Sequence, residues 1–454
     1  MRRTTRTLAS LALAGAVWLS TGAAAQPVLT ADDAVRLALE HNSQIINASA
    51  AVLDARGGLY GAYSSLLPSL SAGVSRSGSK TTNQRGVQVY GGRLAVPSTT
   101  DEYVSYSTSP TLSGSWSVLN VSSLSTLSSA RSGLKGAQWR RLATRGDVAL
   151  EARRQFYEVV KAAKMMGVSE NALQLARDDE RRVHTLFEVG SVSRSDVLKA
   201  RVRTAQSQLD SIAARQSVLV QRDLLASFIG LEEARLGEVD TVLTVTPREY
   251  EEVSLLREAE ANRPDLKAAE ADMKAARAGL TAARLSWLPY VALSGSATYN
   301  PVSTSTSTVP DTVGKLTISG RTEADRQVSG RVALSWDFFD GLTTSSRNAS
   351  ARARLARVQA AYDVLRRNLA GEVHEALLTY QQALGAEAVA GSAVESATES
   401  MKLTQQKYNV GSATILDLID AQVQLQRAQS QLVSALAGIR VAEARLDQVR
   451  GRGV

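Results

Sequence analysis

Asp417 and Asp420 stand three residues apart just after a glycine break, in the stretch YNVGSATILDLIDA that begins at Tyr408. On a helix that spacing puts both carboxylates on one face. Carboxylates so placed can cap a helix start, and Thr414, three residues before Asp417, is the right partner for that. They can also gather cations by their field. A near copy, FEVGSVSRSDVLKA, begins at Phe187 and repeats the cap spacing as Ser193 and Asp196, but it has Lys199 where Asp420 stands. Capping accounts for Asp196 and Asp417. It does not require Asp420, for which a solvated acid and a charge placed to meet ions both stay open.

No other arrangement in the chain does chemistry. His41, His184 and His374 stand alone, and there is no cysteine to join them in a metal site. Walker and GxSxG motifs are absent, and the glycine pairs 57–58 and 91–92 lack the strand-to-helix context of a phosphate loop. The chain is expected to be no enzyme and to bind no cofactor or metal. Residues 1–25 read as a secretory signal: Arg2, Arg3 and Arg6, an apolar run from Leu8 to Leu19, and small residues at Ala23 to Ala25. Without those three arginines the net charge falls from +8 to +5 (8 − 3), without a dense basic block, so nucleic acid is not implied.

The two glycine breaks belong to a larger repeat. Val189-Gly190-Ser191 returns 221 positions later as Val410-Gly411-Ser412, Leu67-Pro68 as Leu288-Pro289, and Trp116 returns 220 positions later as Trp336. One ancestral unit used twice, 29–246 and 247–454, explains the shared offset. Pro68 and Pro289 each end an alanine-rich helical segment. Period-two alternation follows, with Leu70, Ala72 and Val74 in one half and Val291, Leu293, Ala297 and Tyr299 in the other. It returns around Leu112, Trp116 and Val118, and around Val332, Leu334, Trp336 and Phe338. Polar loops are expected at 79–102 and 303–326. Each half reads helix, strand, loop, strand, long helix, break, long helix.

Strands of about ten residues can cross a tilted bilayer path. Their apolar faces carry Trp116, Tyr299, Trp336 and Phe338 near strand ends, where interfacial aromatics belong. A soluble four-stranded sheet is the other reading of the same pattern. A spanning sheet must close, and about eight strands is the minimum, so spanning strands imply several copies sharing one barrel. The run 341–407 would reach roughly 100 Å as a helix. The last helix carries a heptad at Leu418, Leu425, Leu432, Ile439 and Leu446, with alanines three residues on, which imposes a left-handed supercoil. A looser counterpart runs through Leu198, Ala205, Ile212, Leu219 and Ala226.

In this order and doubling, the opening LTADDAVRLALEHN (29–42), the ANRPDL at 261–266 and the two VGS breaks with their following Asp resemble the TolC family of outer-membrane efflux ducts. The resemblance covers essentially the whole mature chain. It implies a mixed, mainly α fold and a homotrimer, in which four membrane strands per chain close a 12-stranded β-barrel. Below the barrel, in the periplasm, would stand a long α-helical coiled-coil barrel. It implies a passive exit duct of a tripartite efflux or type I secretion system, located in the outer membrane with its lipid as surroundings. Its partners would be a periplasmic adaptor and, through it, an inner-membrane transporter. By the same resemblance Asp417, Asp420, Tyr408 and Asp196 form the periplasmic gate, with six carboxylates from Asp417 and Asp420 ringing the narrowest point of a trimer. Val189, Gly190, Ser191, Val410, Gly411 and Ser412 would form tips that meet the adaptor. Ala413 departs from the family's best-studied members, which place an arginine there, so closure would rest on Tyr408 and packing, or on other residues. The alternative is a periplasmic structural or adaptor-like coiled-coil protein with a soluble sheet.

Overall fold

Proline decides where each half turns from helix to strand. The computed structural model describes residues 28–85, 89–90, 93–94, 99–231, 236–301, 303–311 and 314–452; the expected leader, 1–25, lies outside them. Helices α1 (Ala31–His41) and α2 (Ser43–Ser64) lead to β1 (Ser69–Arg85), directly after Pro68. Short β2 (Val89–Tyr90) and β3 (Arg93–Leu94) precede β4 (Thr99–Leu119), then α3 (Val121–Glu188) and α4 (Arg194–Ile229). The second half repeats the order: α5 (Glu252–Asn262), α6 (Pro264–Leu285), β5 (Tyr290–Asn300) directly after Pro289, β6 (Ser303–Asp311), β7 (Gly314–Thr322), β8 (Asp325–Ser335), α7 (Thr343–Asn409) and α8 (Ile415–Val449).

β4 pairs with β1 along one side and with β5 and then β6 along the other; β5 pairs with β8 and β6 with β7, all antiparallel. The sheet is therefore two long hairpins side by side, with β1 at one edge and β8 and β7 at the other. One face carries hydroxyls that satisfy each other across the ladder, as in Ser71–Ser113 at 2.7 Å, Ser77–Ser107 at 2.8 Å and Ser296–Ser329 at 2.9 Å. The register gathers Leu70, Val74, Leu112, Trp116, Leu293, Val328, Val332 and Leu334 on the opposite face. That face is bare: Leu70 is 79% exposed, Val328 81% and Val332 72%.

The polar loops expected at 79–102 and 303–326 are corrected. Most of both segments is strand, within β1, β4, β6, β7 and the start of β8. Backbone bonds hold a ladder together whatever its side chains, and a stretch such as 303–308, polar at every position, shows no alternation to read.

The chain forms two compact units, one from residues up to Asn42 with 149–247 and 380–444, the other from 43–148, 248–379 and 445–454. Each draws on both sequence halves. The second unit holds the sheet and helix segments joined by Arg140–Asp272 (2.5 Å) and by Arg263, which pairs with Asp265 and Glu372. In the first unit, Ala34 and Ala38 of α1 are buried, and Asn42 Nδ2 donates to the Phe228 carbonyl at 2.8 Å.

On α8 the heptad faces inward: Leu418, Leu425, Ile439 and Leu446 are buried and Leu432 is half-buried. The row expected on α4 follows it only at its end, where Ala226 is buried with Leu225 and Ile229. Leu198, Ala205, Ile212 and Leu219 face outward, and the residues buried ahead of that end are Ala200, Thr204, Ser207 and Ser211. Small and hydroxylated residues let α4 lie close to α3, where Thr204 Oγ1 donates to the Ala176 carbonyl at 3.2 Å. The outward residues complete their own pattern, Leu198, Val202, Ala205, Leu209, Ile212 and Leu219, spaced alternately by four and three with position 216 taken by Gln. Val202 is 70% and Leu209 62% exposed.

Candidate functional site: two glycine bends and the acids behind them

Both bends are built the same way. At the end of α3 the Ser191 amide donates to the Leu186 carbonyl (2.8 Å) and the Gly190 amide to that of Phe187 (2.9 Å); at the end of α7 Ser412 donates to Lys407 (2.9 Å) and Gly411 to Tyr408 (3.0 Å). This closure needs a left-handed residue, and Gly190 and Gly411 supply it with φ of 78° and 75°. A reciprocal cap then starts the next helix. Ser193 Oγ accepts from the Asp196 amide at 3.2 Å, and Asp196 Oδ2 accepts from Ser193 Oγ at 2.8 Å. Thr414 and Asp417 do the same at 3.2 and 2.7 Å, with the Thr414 amide also donating to Asp417 at 2.8 Å.

These bonds hold the carboxyls of Asp196 and Asp417 below the ordinary carboxylate range, through the Ser193 hydroxyl in one case and the Thr414 hydroxyl in the other. Both stay ionised through the neutral range. Asp196 has a second use, accepting from Lys199 Nζ at 3.2 Å. Asp420 is exposed and makes no hydrogen bond or ion pair among the described residues.

An apolar knot brings the two bends together. Val183, Ala200, Ile415 and Leu418 are buried in it, with Val192, Val197, Tyr408 and Ile419 against them. The residues of the bends themselves, Val189, Gly190, Ser191, Val410, Gly411 and Ser412, remain exposed. Nothing lies within 4 Å of a side chain built at Gly190 or Gly411.

Tyr408 sits at the knot with a buried hydroxyl that has no hydrogen-bond partner. Burial first, then the nearby charges of Asp179 and Asp196, push its ionisation upward. Asp179 and Gln422 were not foreseen from sequence. Asp179 is 7% exposed, its Oδ2 accepts from Gln422 Nε2 at 2.5 Å, and Arg182 Nη1 stands 3.6 Å from Oδ1. Burial raises its carboxyl above the usual range despite those partners. Of the four expected gate residues, Tyr408 feels the charges of both this buried acid and Asp196, while Asp417 and Asp420 lie exposed on α8.

Several known proteins share this architecture. The outer membrane protein TolC of Vibrio cholerae is 25% identical over 297 residues; the match covers 64% of this chain, which spans only about 65% of that relative's length. The outer membrane protein VceC of Vibrio cholerae superposes with a TM-score of 0.70 at 19% identity, over 93% of this chain and 96% of that one. The CmeC outer membrane channel of Campylobacter jejuni gives 0.73 at 16% identity, over 93% and 86%. The open-state MtrE outer membrane channel of Neisseria gonorrhoeae gives 0.68 at 19% identity, over 93% and 89%. At these identities the structures establish the fold. The sequence profile of the outer membrane efflux protein family matches twice, over residues 34–231 and 255–452, and the chain belongs to that family.

Proposed function

We propose that three copies of this chain form an outer-membrane exit duct, passively conducting substrates delivered by an inner-membrane pump through a periplasmic adaptor, for efflux or type I secretion. The observation that carries this reading is the bare apolar face of a sheet with two open edges. In water such a face and such edges invite aggregation. Lipid suits the face, and edge-to-edge joining of copies suits the edges, since hydrocarbon tolerates no unpaired strand edge. That argues against a soluble sheet in an adaptor-like coiled-coil protein. The outward row on α4 supplies the same copies with a helical seam. The doubled order of elements supports duplication of one ancestral unit, near 29–246 and 247–454.

In this duct the bends form the periplasmic entrance. Asp417 and Asp420 ring it with six carboxylates; Tyr408 and Asp196 hold the neighbouring hairpins, with Ala413 offering no charged link. The exposed Val-Gly-Ser segments meet the adaptor, because small residues allow close backbone approach.

Replacing both Asp417 and Asp420 by Ala is expected to raise single-channel conductance in planar bilayers and to weaken block by multivalent cations. A double variant that conducts and blocks like the parent removes the constriction from this position.

A further inference from the structure

The bare face of the sheet ends in charge. The register sets Val74, Pro110, Tyr299 and Arg326 in one row across β1, β4, β5 and β8, and Arg76 comes next along β1 on the same face. Lys80 follows on that face, and Tyr106 lies opposite Gly78 between the two. The register also sets Glu102 on this face, opposite Thr82, which lies beyond Lys80 along β1. The Arg326 guanidinium lies 5.7 Å from the centre of the Tyr299 ring, a contact that fixes its head beside the aromatic edge.

At the other end of the apolar band stands Trp336, edge-on to Trp287 with ring centres 5.9 Å apart. The ten residues from Trp336 back to Arg326 amount to roughly 33 Å of strand, or about 25 Å across the band at a tilt near 40°. That is the height of the apolar belt on an outer-membrane barrel. Arg326 and Arg76 then fall at the headgroup level of the leaflet far from the helices' attachment to the strands. Long basic side chains there reach phosphate while their stems stay in hydrocarbon, and a guanidinium can bind two phosphate oxygens at once. Arg76 is on the edge strand β1 and Arg326 on the edge strand β8. When copies join edge to edge, β1 of one meets β8 of the next, so the two arginines flank each seam.

We propose that Arg76 and Arg326, backed by Tyr299, bind the phosphate of an anionic lipid headgroup at the seams between copies, and so join neighbouring copies through lipid. This rests on the duct reading above. The test is native mass spectrometry of the full chain, purified from an equal mixture of phosphatidylglycerol and phosphatidylcholine, beside conductance of the same samples. The parent is expected to retain phosphatidylglycerol preferentially. R76Q and R326Q should each weaken that preference by roughly fivefold, the effect of one basic residue at an anionic surface. R331Q, on the opposite, serine-bearing face of β8, should leave it unchanged. A double variant R76Q/R326Q with the parent's preference overturns the proposal, as does complete displacement of the lipid by excess inorganic phosphate. A parent that conducts but shows no preference sinks this proposal alone; one that neither inserts nor conducts sinks the duct reading with it.

Discussion

Asp179 is the one buried member of the charged run 177–182, and its burial has a pH consequence. Because burial raises its carboxyl, the folded chain holds that proton more tightly than the unfolded chain. The resulting stability is present below the ordinary carboxylate value of about 3.9 and is lost as pH rises through the raised value. Asp196 and Asp417, with lowered values, act in the opposite sense: their contribution is present above about 3.9 and is lost as pH falls through the lowered values. Asp179→Asn cannot ionise, so thermal melts of this variant across the mildly acidic range should lose the decline with rising pH that the parent shows. An identical slope in both would remove Asp179 from the account. Nothing in the run RDDERR marks which acid turns inward, because charge alternation reads as a solvated helix face. The capping acids were readable for the opposite reason: a cap is local, fixed by a hydroxyl three residues away.

The bends show how much an element's ends reveal of it. Glycine, hydroxyl and acid at set offsets determined both closures and both restarts, and all four were found where the sequence placed them. Strand length was hidden, since serine and threonine at every position of 303–308 carry no period. The outward row of α4 was hidden as well, because a heptad states that a face is apolar and not which partner it meets. Gly411→Leu separates the two uses of a bend. The left-handed backbone makes a leucine there cost roughly 1–2 kcal/mol of strain, with open space around it. Transport should be lost while crosslinked trimers persist in the membrane fraction; loss of the trimers instead would confine the glycine to capping.

For the whole molecule, the decisive surface is one that a single chain leaves uncovered. A charge in the middle of the α4 row, Leu209→Asp, should break the assembly without unfolding α4, whose own buried row is elsewhere. Light scattering in detergent is expected to report monomers with unchanged helical circular dichroism. A variant that still assembles would mean that copies meet through another face. Apolar surface of this kind is legible in the sequence as pattern, but its destination requires knowing what the rest of the chain fails to cover.

Lys199 and Asp420 occupy matched places in two bends of the same backbone design, one paired with Asp196 and the other alone. Three copies set around an axis would present six nearly identical outlines whose electrical sign alternates from one to the next. A docking partner could fit its shape to any of the six, yet would find only every second one favourable to a basic surface. In the proposed trimer, gene duplication would thus supply a hexagonal outline, and a single acid-for-base difference would divide it into two interleaved sets of three.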